Sequence, residues 1–359
     1  MKKLVSLVLL GLVVSLVPIS ASAVIGNLVV EQIAQPVSVL APEGAARLPF
    51  TRIRFKAVGG VVPIYGLEVE QTGSASTNVF AGVAYTCNNI QAGTTKVFGS
   101  GNRLMLGTDS ALEIASGTTC DITVVGNMAN DLDDEDGTSV SLSIVGVWTT
   151  SAISGFSWTD GATHVINSVY EIGTVAVTPS ASNPPNNGQV EIGSASIFSS
   201  LKITAGSDED QLLKSVTTKM TGTAIGYLKN VRLIVGSSSY PMTALPDGRY
   251  YVGGLNRTIG EDDFVVISVS AEVTGGVGFT VEFDIVEATD LELFGKTTGF
   301  GPTPTGSGAG FGGTPWFKGS VTQIVPKPEP PPPPPPLPPP TEAQKKARAM
   351  TAIRSLLLD

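Results

Sequence analysis

Ser139-Val140-Ser141-Leu142-Ser143-Ile144 alternates a small polar residue with an apolar one at every step. A period of two is that of a half-buried strand, whose successive side chains point to opposite faces. Ile122-Thr123-Val124, the stretch from Val265 to Val269, and Phe279-Thr280-Val281-Glu282-Phe283-Asp284-Ile285 carry the same period. Turn residues (Gly, Asn, Asp, Ser) separate such runs about every 8–12 residues, the spacing of a sandwich rather than of strand–helix units. Helical spacing is nearly absent from residue 24 to residue 340. The expected fold class is all-β.

The strands also repeat. Phe50, Ile53 and Phe55 are matched by Phe198, Leu201 and Ile203, each 148 positions later. Val83, Tyr85 and Cys87 match Val231, Leu233 and Val235 at the same offset, and Thr72-Gly73 matches Thr221-Gly222 at 149. Cys120, Ile122 and Val124 match Val265, Ile267 and Val269 at 145; Val140, Leu142 and Ile144 match Val281, Phe283 and Ile285 at 141. A nearly constant offset that drifts only where loops differ is the mark of a duplicated unit. Each unit then runs into a Gly-rich, aromatic-dotted tail. The expectation is two tandem Ig-like β-sandwich domains, at 24–173 and 174–325.

Composition narrows the function classes. The 359 residues carry a net charge of −9, with 15% charged side chains, one His and two Cys. A nucleic-acid binder should be basic, and a His/Cys metal centre needs more such ligands than the chain has. With 42% hydrophobic residues the chain is not disordered by composition. The 41 Gly and 25 Pro are unevenly placed: Gly punctuates the β-units, whereas Pro clusters in one tract.

That tract is 326–340, with 331–336 all proline, and it reads as an extended polyproline II linker of roughly 45 Å. Thr341-Glu342-Ala343-Gln344 has the form of a capping box, so an amphipathic helix is expected over 341–359, with Met350, Ile353 and Leu357 on one face. At the other end, Lys2-Lys3, the apolar run 4–17 and Ala21-Ser22-Ala23 make residues 1–23 a secretory signal peptide. The run is too short for a span, and no second such run follows, so no membrane span is expected in the mature chain. Loss of Lys2 and Lys3 takes the net charge from −9 to −11.

Export bears on the two cysteines. Cys87 and Cys120 lie on two expected strands of the first unit, in an oxidising compartment, and are expected to form a disulfide. Closing that ring stabilises by roughly 3–4 kcal/mol in the chain-entropy model. Val235 and Val265 occupy the matching positions in the second unit.

Other chemistry is sparse. His164 has no nucleophile motif near it, so it reads as a packing residue. Asp131-Leu132-Asp133-Asp134-Glu135-Asp136-Gly137 places five acids in seven residues. Leu132 breaks an EF-hand frame, so the run reads as a solvated acidic turn or as a looser Ca²⁺ site with Asp131, Asp133 and Asp136 as candidate ligands. Asp208-Glu209-Asp210 and Glu261-Asp262-Asp263 are weaker versions of it. Trp148 and Trp158 are candidates for a carbohydrate platform. Trp158 and Trp316 also hold equivalent places in the two tails, which points to a structural latch.

Leu228-Lys229-Asn230-Val231-Arg232-Leu233, the turn Pro246-Asp247-Gly248 and the 326–340 tract together resemble exported, repeat-built surface proteins of bacteria. The layout is most similar to poorly characterised β-sandwich proteins of ultra-small candidate-phylum bacteria. The resemblance implies a secreted, extracellular, cell-surface-associated protein without enzymatic activity, of structural or adhesive role. Its C-terminal helix would hold an envelope component or surface polymer. A protein or glycan ligand on the loops near Trp148 and Trp158 is the alternative. No cofactor is implied.

Overall fold

The computed structural model describes residues 24–328, 339 and 341–356. The signal segment and most of the polyproline tract lie outside the described residues. Contacts divide the chain into two compact units, one ending at Val325 and the other beginning at Pro326.

The first unit opens with β1 (Asn27–Gln32), β2 (Leu40–Pro42), β3 (Ala45–Ala46), β4 (Leu48–Val58), β5 (Val62–Gly73) and β6 (Phe80–Cys87). Then come β7 (Ile90–Lys96), β8 (Arg103–Ile114), β9 (Thr119–Met128), β10 (Ser139–Thr149), β11 (Ile153–Ser154) and β12 (His164–Asn167). They form two facing sheets, β11-β1-β4-β9-β6-β7 and β2-β12-β10-β5-β8. Between the sheets lies one core that includes Phe50, Ile53, Phe55, Leu67, Tyr85, Ile122 and Leu142. In β4 the two-residue alternation is plain: Ile53, Phe55 and Ala57 are buried, and Arg54 and Lys56 are not. Burying one such large apolar side chain contributes about 1.5–3 kcal/mol.

The second sandwich contains β13 (Val175–Pro179), β14 (Gly188–Glu191), β15 (Ala195–Ala205), β16 (Gln211–Met220), β17 (Leu228–Val235) and β18 (Ser238–Pro241). Short strands follow: β19 (Thr243–Ala244), β20 (Arg249–Val252) and β21 (Arg257–Ile259), before the long β22 (Phe264–Val273). The remainder are β23 (Thr280–Val281), β24 (Phe283–Asp284), β25 (Leu291–Gly295), β26 (Gly301–Pro302), β27 (Thr305–Gly306) and β28 (Thr322–Val325). Its own core includes Phe198, Leu201, Ile203, Leu233, Ile267, Phe283 and Phe317.

The duplication extends to the register of the strands. The sheet β27-β13-β15-β22-β17-β18 repeats β11-β1-β4-β9-β6-β7 strand for strand, down to the parallel pairing of the last strand with the first. Ile53 faces Ile122 as Leu201 faces Ile267, and Cys87 faces Ile122 as Val235 faces Ile267. Even the bulge recurs, between Pro49 and Thr51 in β4 and between Ile197 and Ser199 in β15. The other sheets agree too: β12 runs parallel to β2 and antiparallel to β10, as β28 does to β14 and β23. One difference stands out. The continuous β10 of the first copy is broken in the second into β23, β24 and β25, with a longer link, 286–290, between Ile285 (the match of Ile144) and β25, and a 3₁₀ turn at Ala288–Asp290.

In the second unit, α1 (Glu342–Leu356) starts at the expected capping box. The Thr341 amide donates to Gln344 Oε1 at 3.1 Å, and the Gln344 amide donates to Thr341 Oγ1 at 3.4 Å. Among the described residues no helix is long and apolar enough to cross a membrane.

Candidate functional site

The 286–290 insertion leads to the junction of the two sandwiches. An edge strand leaves a row of N–H and C=O groups without partners, and β7 is such an edge in the first sandwich. The second sandwich supplies those partners from side chains. Arg249, on β20, donates from Nη1 to the Gln91 carbonyl at 2.8 Å. Glu287, on the insertion, accepts the Thr95 amide at 2.6 Å, the Gln91 Nε2 at 2.8 Å and the Thr95 hydroxyl. Arg249 is itself oriented by Asp247, 2.5 Å away. On another side of the junction, β26 pairs with β3 across the two sandwiches, Gly301 facing Ala46 and Pro302 facing Ala45.

Two buried carboxylates support this junction. Asp290 is 4% exposed and accepts the Glu287 amide at 3.0 Å, which fixes the turn that presents Glu287. Burial first, then the neighbouring Glu287 charge, pushes its pKa up to about 6. Glu209 is 2% exposed and holds the connector between the sandwiches. It accepts the amides of Gly173 at 3.0 Å, Thr297 at 2.8 Å and Thr298 at 3.0 Å, and the Thr298 hydroxyl at 2.7 Å. Burial alone would raise its pKa, but those donors outweigh burial and hold the carboxyl below its ordinary value. Gly295 makes room for it: a Cβ there would lie 2.0 Å from Glu209 Oε1.

Two clefts flank the junction. One, of about 330 Å³, lies between β7 and β8 on one side and Lys219, Pro246, Arg249 and Asp290 on the other. The second, of about 580 Å³, lies between residues 36–52 and the 294–301 hairpin. Neither cleft is lined by a tryptophan.

The residues singled out in the sequence fall as follows. Cys87 and Cys120 are bonded, with Cα atoms 5.5 Å apart, joining the end of β6 to the start of β9. Val235 and Val265 fill the same place in the second core, so one site is clamped covalently and the other by packing. His164 is fully buried and edge-on to Phe50 at 4.5 Å. Its Nδ1 accepts the Val39 amide and its Nε2 donates to the Pro49 carbonyl, both at 3.1 Å. Burial pushes its pKa down against those two bonds, and the ring has no nitrogen left for chemistry.

Asp131, Asp133 and Asp136 are not brought together as a ligand set. Among the described residues no three His, Cys, Asp or Glu side chains converge on one point. Residues Asp133–Glu135 form a 3₁₀ turn, and carboxylates in it and beside it accept backbone amides. Asp136 accepts that of Ser168 at 2.9 Å and Glu135 that of Ser76 at 3.2 Å. The other two acidic runs lie side by side, Asp210 accepting the Glu261 amide at 3.2 Å and pairing with Lys296 at 3.2 Å.

The two tails are equivalent as expected. Thr159 bridges Ile144 as Phe317 bridges Ile285, which puts Trp158 and Trp316 at matching positions. Their side chains then diverge. Trp316 packs against Phe311 at 4.9 Å on the second core, whereas Trp158 is 51% exposed with its indole donating to Asp160 at 2.9 Å. Trp148 is 56% exposed. The latch is therefore made by the backbone and residues Thr159 and Phe317, and by the indole only in the second copy.

No protein-family model matches the chain, and no curated protein matches it. Among solved structures it is similar to the C-terminal domain of the Streptococcus agalactiae antigen I/II polypeptide BspA, at 9% identity and a TM-score of 0.22, covering 83% of this chain and 100% of that one. It is also similar to the C-terminal domain of the Streptococcus pyogenes antigen I/II-family protein AspA, at 8% identity and a TM-score of 0.21, covering 83% and 99%. A putative membrane anchored protein from Corynebacterium diphtheriae is similar at 8% identity and a TM-score of 0.20, covering 86% of this chain and 61% of that one. Likeness at this level assigns no function.

Proposed function

We propose that this chain is an exported, non-enzymatic surface protein of structural or adhesive role, built from two β-sandwich domains and carried on a Pro-rich linker. The observation that carries the reading is the junction. A second copy whose added loop is spent on bonding the first, through Glu287 and Arg249 onto the β7 edge, is a device for holding two sandwiches in one orientation. The lone histidine has both ring nitrogens committed to backbone, which speaks against a triad. The signal-like 1–23 segment and the 326–340 tract support export and a spacer, and α1 then serves to hold an envelope component or surface polymer. The test is fractionation of cells expressing the full chain and a form lacking 341–359. The full chain should be cell-associated and the truncated form released to the medium; equal retention of both would remove the tethering role.

A second reading has its own observation. Trp148 and Trp158 stay half or more exposed beside well-packed β10, as a sugar-stacking surface would require. Binding to a glycan array that is lost in Trp158→Ala would favour it over a purely structural role.

A further inference from the structure

The two copies diverge most in chemistry at one pair of loops. Val79 matches Leu228 and Leu132 matches Val273, so loop 74–78 is the counterpart of 223–227, and 133–137 of 274–278. Gly137 and Gly278 fall together in this match, both left-handed, with φ of 76° and 85°. In the first copy the pair is polar: Glu135 accepts the Ser76 amide at 3.2 Å, and Asp133, Asp134 and Asp136 are exposed. In the second the same two loops meet through rings, Tyr227 lying edge-on to Phe279 at 5.6 Å. Ile225 is 75% exposed, Val277 55%, Phe279 41% and Tyr227 40%. Neither 221–228 nor 273–281 contains a charged residue. The first copy builds the corresponding loops from polar residues, so the sandwich itself does not require apolar ones here. A contiguous exposed apolar patch of this kind marks an interaction surface.

What covers it follows from its size and its polar groups. Four side chains exposed to this degree present roughly 400 Å², a whole ring offering about 150–250 Å². That is about half of the ~800 Å² that each partner of a stable protein complex buries. A sugar needs free polar side chains, yet Thr223 and Thr280 bond each other at 3.2 Å and Thr274 donates to the Tyr227 carbonyl at 3.0 Å. Lipid needs neither a large area nor matched polar groups, only a backbone that bonds itself before it leaves water. These turns do so: the Tyr227 amide donates to the Ala224 carbonyl at 3.1 Å, that of Phe279 to Gly276 at 2.9 Å, and that of Gly278 to Ile324 at 2.9 Å. We propose that the 225–227 and 277–279 tips dock on a net-neutral lipid surface. Ile225 and Val277 enter the acyl boundary, and the Tyr227 ring sits at headgroup level. Anionic lipid is disfavoured, because the tips hold no Lys or Arg and the chain is at −9. The Ile324 amide donates to the Phe279 carbonyl at 2.8 Å, so the patch lies where the chain leaves the sandwich. On the tethering role proposed above, that end is the one turned to the envelope.

The test uses the full chain and vesicles of dioleoylphosphatidylcholine. Cys87 and Cys120 are bonded to each other, so one introduced thiol can carry an environment-sensitive nitrobenzoxadiazole label. Labelled Val277→Cys should brighten and shift to the blue on adding vesicles, whereas labelled Asp134→Cys, on the matching loop of the first copy, should not. The parent should co-sediment with the vesicles to the same extent from about 0.1 to 1 M NaCl, since the contact is apolar. Ile225→Ser/Val277→Ser should bind about tenfold more weakly. Both side chains are more than half exposed, and an unchanged melting temperature shows that the fold is kept. No shift at Val277→Cys, an equal shift at Asp134→Cys, or co-sedimentation unchanged in the serine variant would each overturn the proposal. Self-association of the parent without a vesicle-induced shift would assign the patch to a second copy and overturn it as well. Because the label reports the tip alone, release or retention of the form lacking 341–359 bears on the tether and leaves this result intact.

Discussion

Glu209→Gln tests the connector between the sandwiches with almost no change of shape. In the parent, Oε1 accepts the Gly173 amide and the Thr298 hydroxyl, and Oε2 accepts the Thr297 and Thr298 amides. A glutamine can keep only one of those oxygens. The other becomes an NH₂ group facing donors, so two charge-assisted bonds are lost, at about 1.5–3 kcal/mol each. The two that remain fall from a charged to a neutral acceptor. A net loss of about 3–5 kcal/mol is expected at pH 7, read as a lower urea midpoint at unchanged slope by circular dichroism. The pH dependence gives a second readout. A carboxyl whose folded pKa is depressed stabilises the fold above its unfolded value, near 4.5, and that contribution disappears as pH falls through the lower folded value. Glutamine has no such titration, so the gap between parent and variant should close as pH is lowered from 4.5 towards 3. A loss below about 1 kcal/mol at pH 7, or a gap constant down to pH 3, would refute the assignment of Glu209 as an ionised acceptor.

Three further outcomes are expected. Reducing agent should lower the melting temperature of the parent but not of the Cys87→Val/Cys120→Val double variant, whose unreduced stability should lie about 3–4 kcal/mol below the parent's. Asp290→Asn should be more stable than the parent at pH 7–8, because burial raises the parent carboxyl to about 6. The parent gains stability as pH falls from 6 towards its unfolded value of 3.8, so melting curves of the two should converge there; a pH-independent difference argues against it. Glu287→Ala removes three bonds onto Gln91 and Thr95, and chymotrypsin should then cut faster at Tyr170 in the exposed connector. Unchanged cleavage kinetics would mean that the junction is held elsewhere.

Much of the fold could be read from period and offset alone. The alternation in β4, β9, β10 and β22 reports burial on one face. The 148-residue offset between Phe50 and Phe198 marks the same bulge in two copies, and the 87–120 pairing followed from strand placement plus export. The junction was not legible in this way. Glu287 and Arg249 look like ordinary surface charges, because what gives them a role is the open edge of β7 more than 150 residues earlier in the chain. The drop of the offset from 145 to 141 lies before Val281, at the Asp-rich loop that is longer in the first copy, and so gives no sign of the segment that reaches the other sandwich. The partners of the acidic runs were hidden for a related reason. Like charges in sequence suggest a shared cation, yet Asp136 and Glu209 each turn to backbone amides, and those partners lie 32 and up to 89 positions away. Exposure of Trp148 and Trp158 was likewise invisible to spacing.

The end of the β-body has a mechanical consequence. β28 is the last strand before Pro326, and it is bonded on both sides, parallel to β14 and antiparallel to β23. A pull applied at Val325 therefore cannot peel β28 from a free edge one bond at a time. It must load two ladders together, four parallel pairs with β14 and two antiparallel pairs with β23, before the strand yields. The sandwich is thus reinforced at the point where a stalk would transmit force to it.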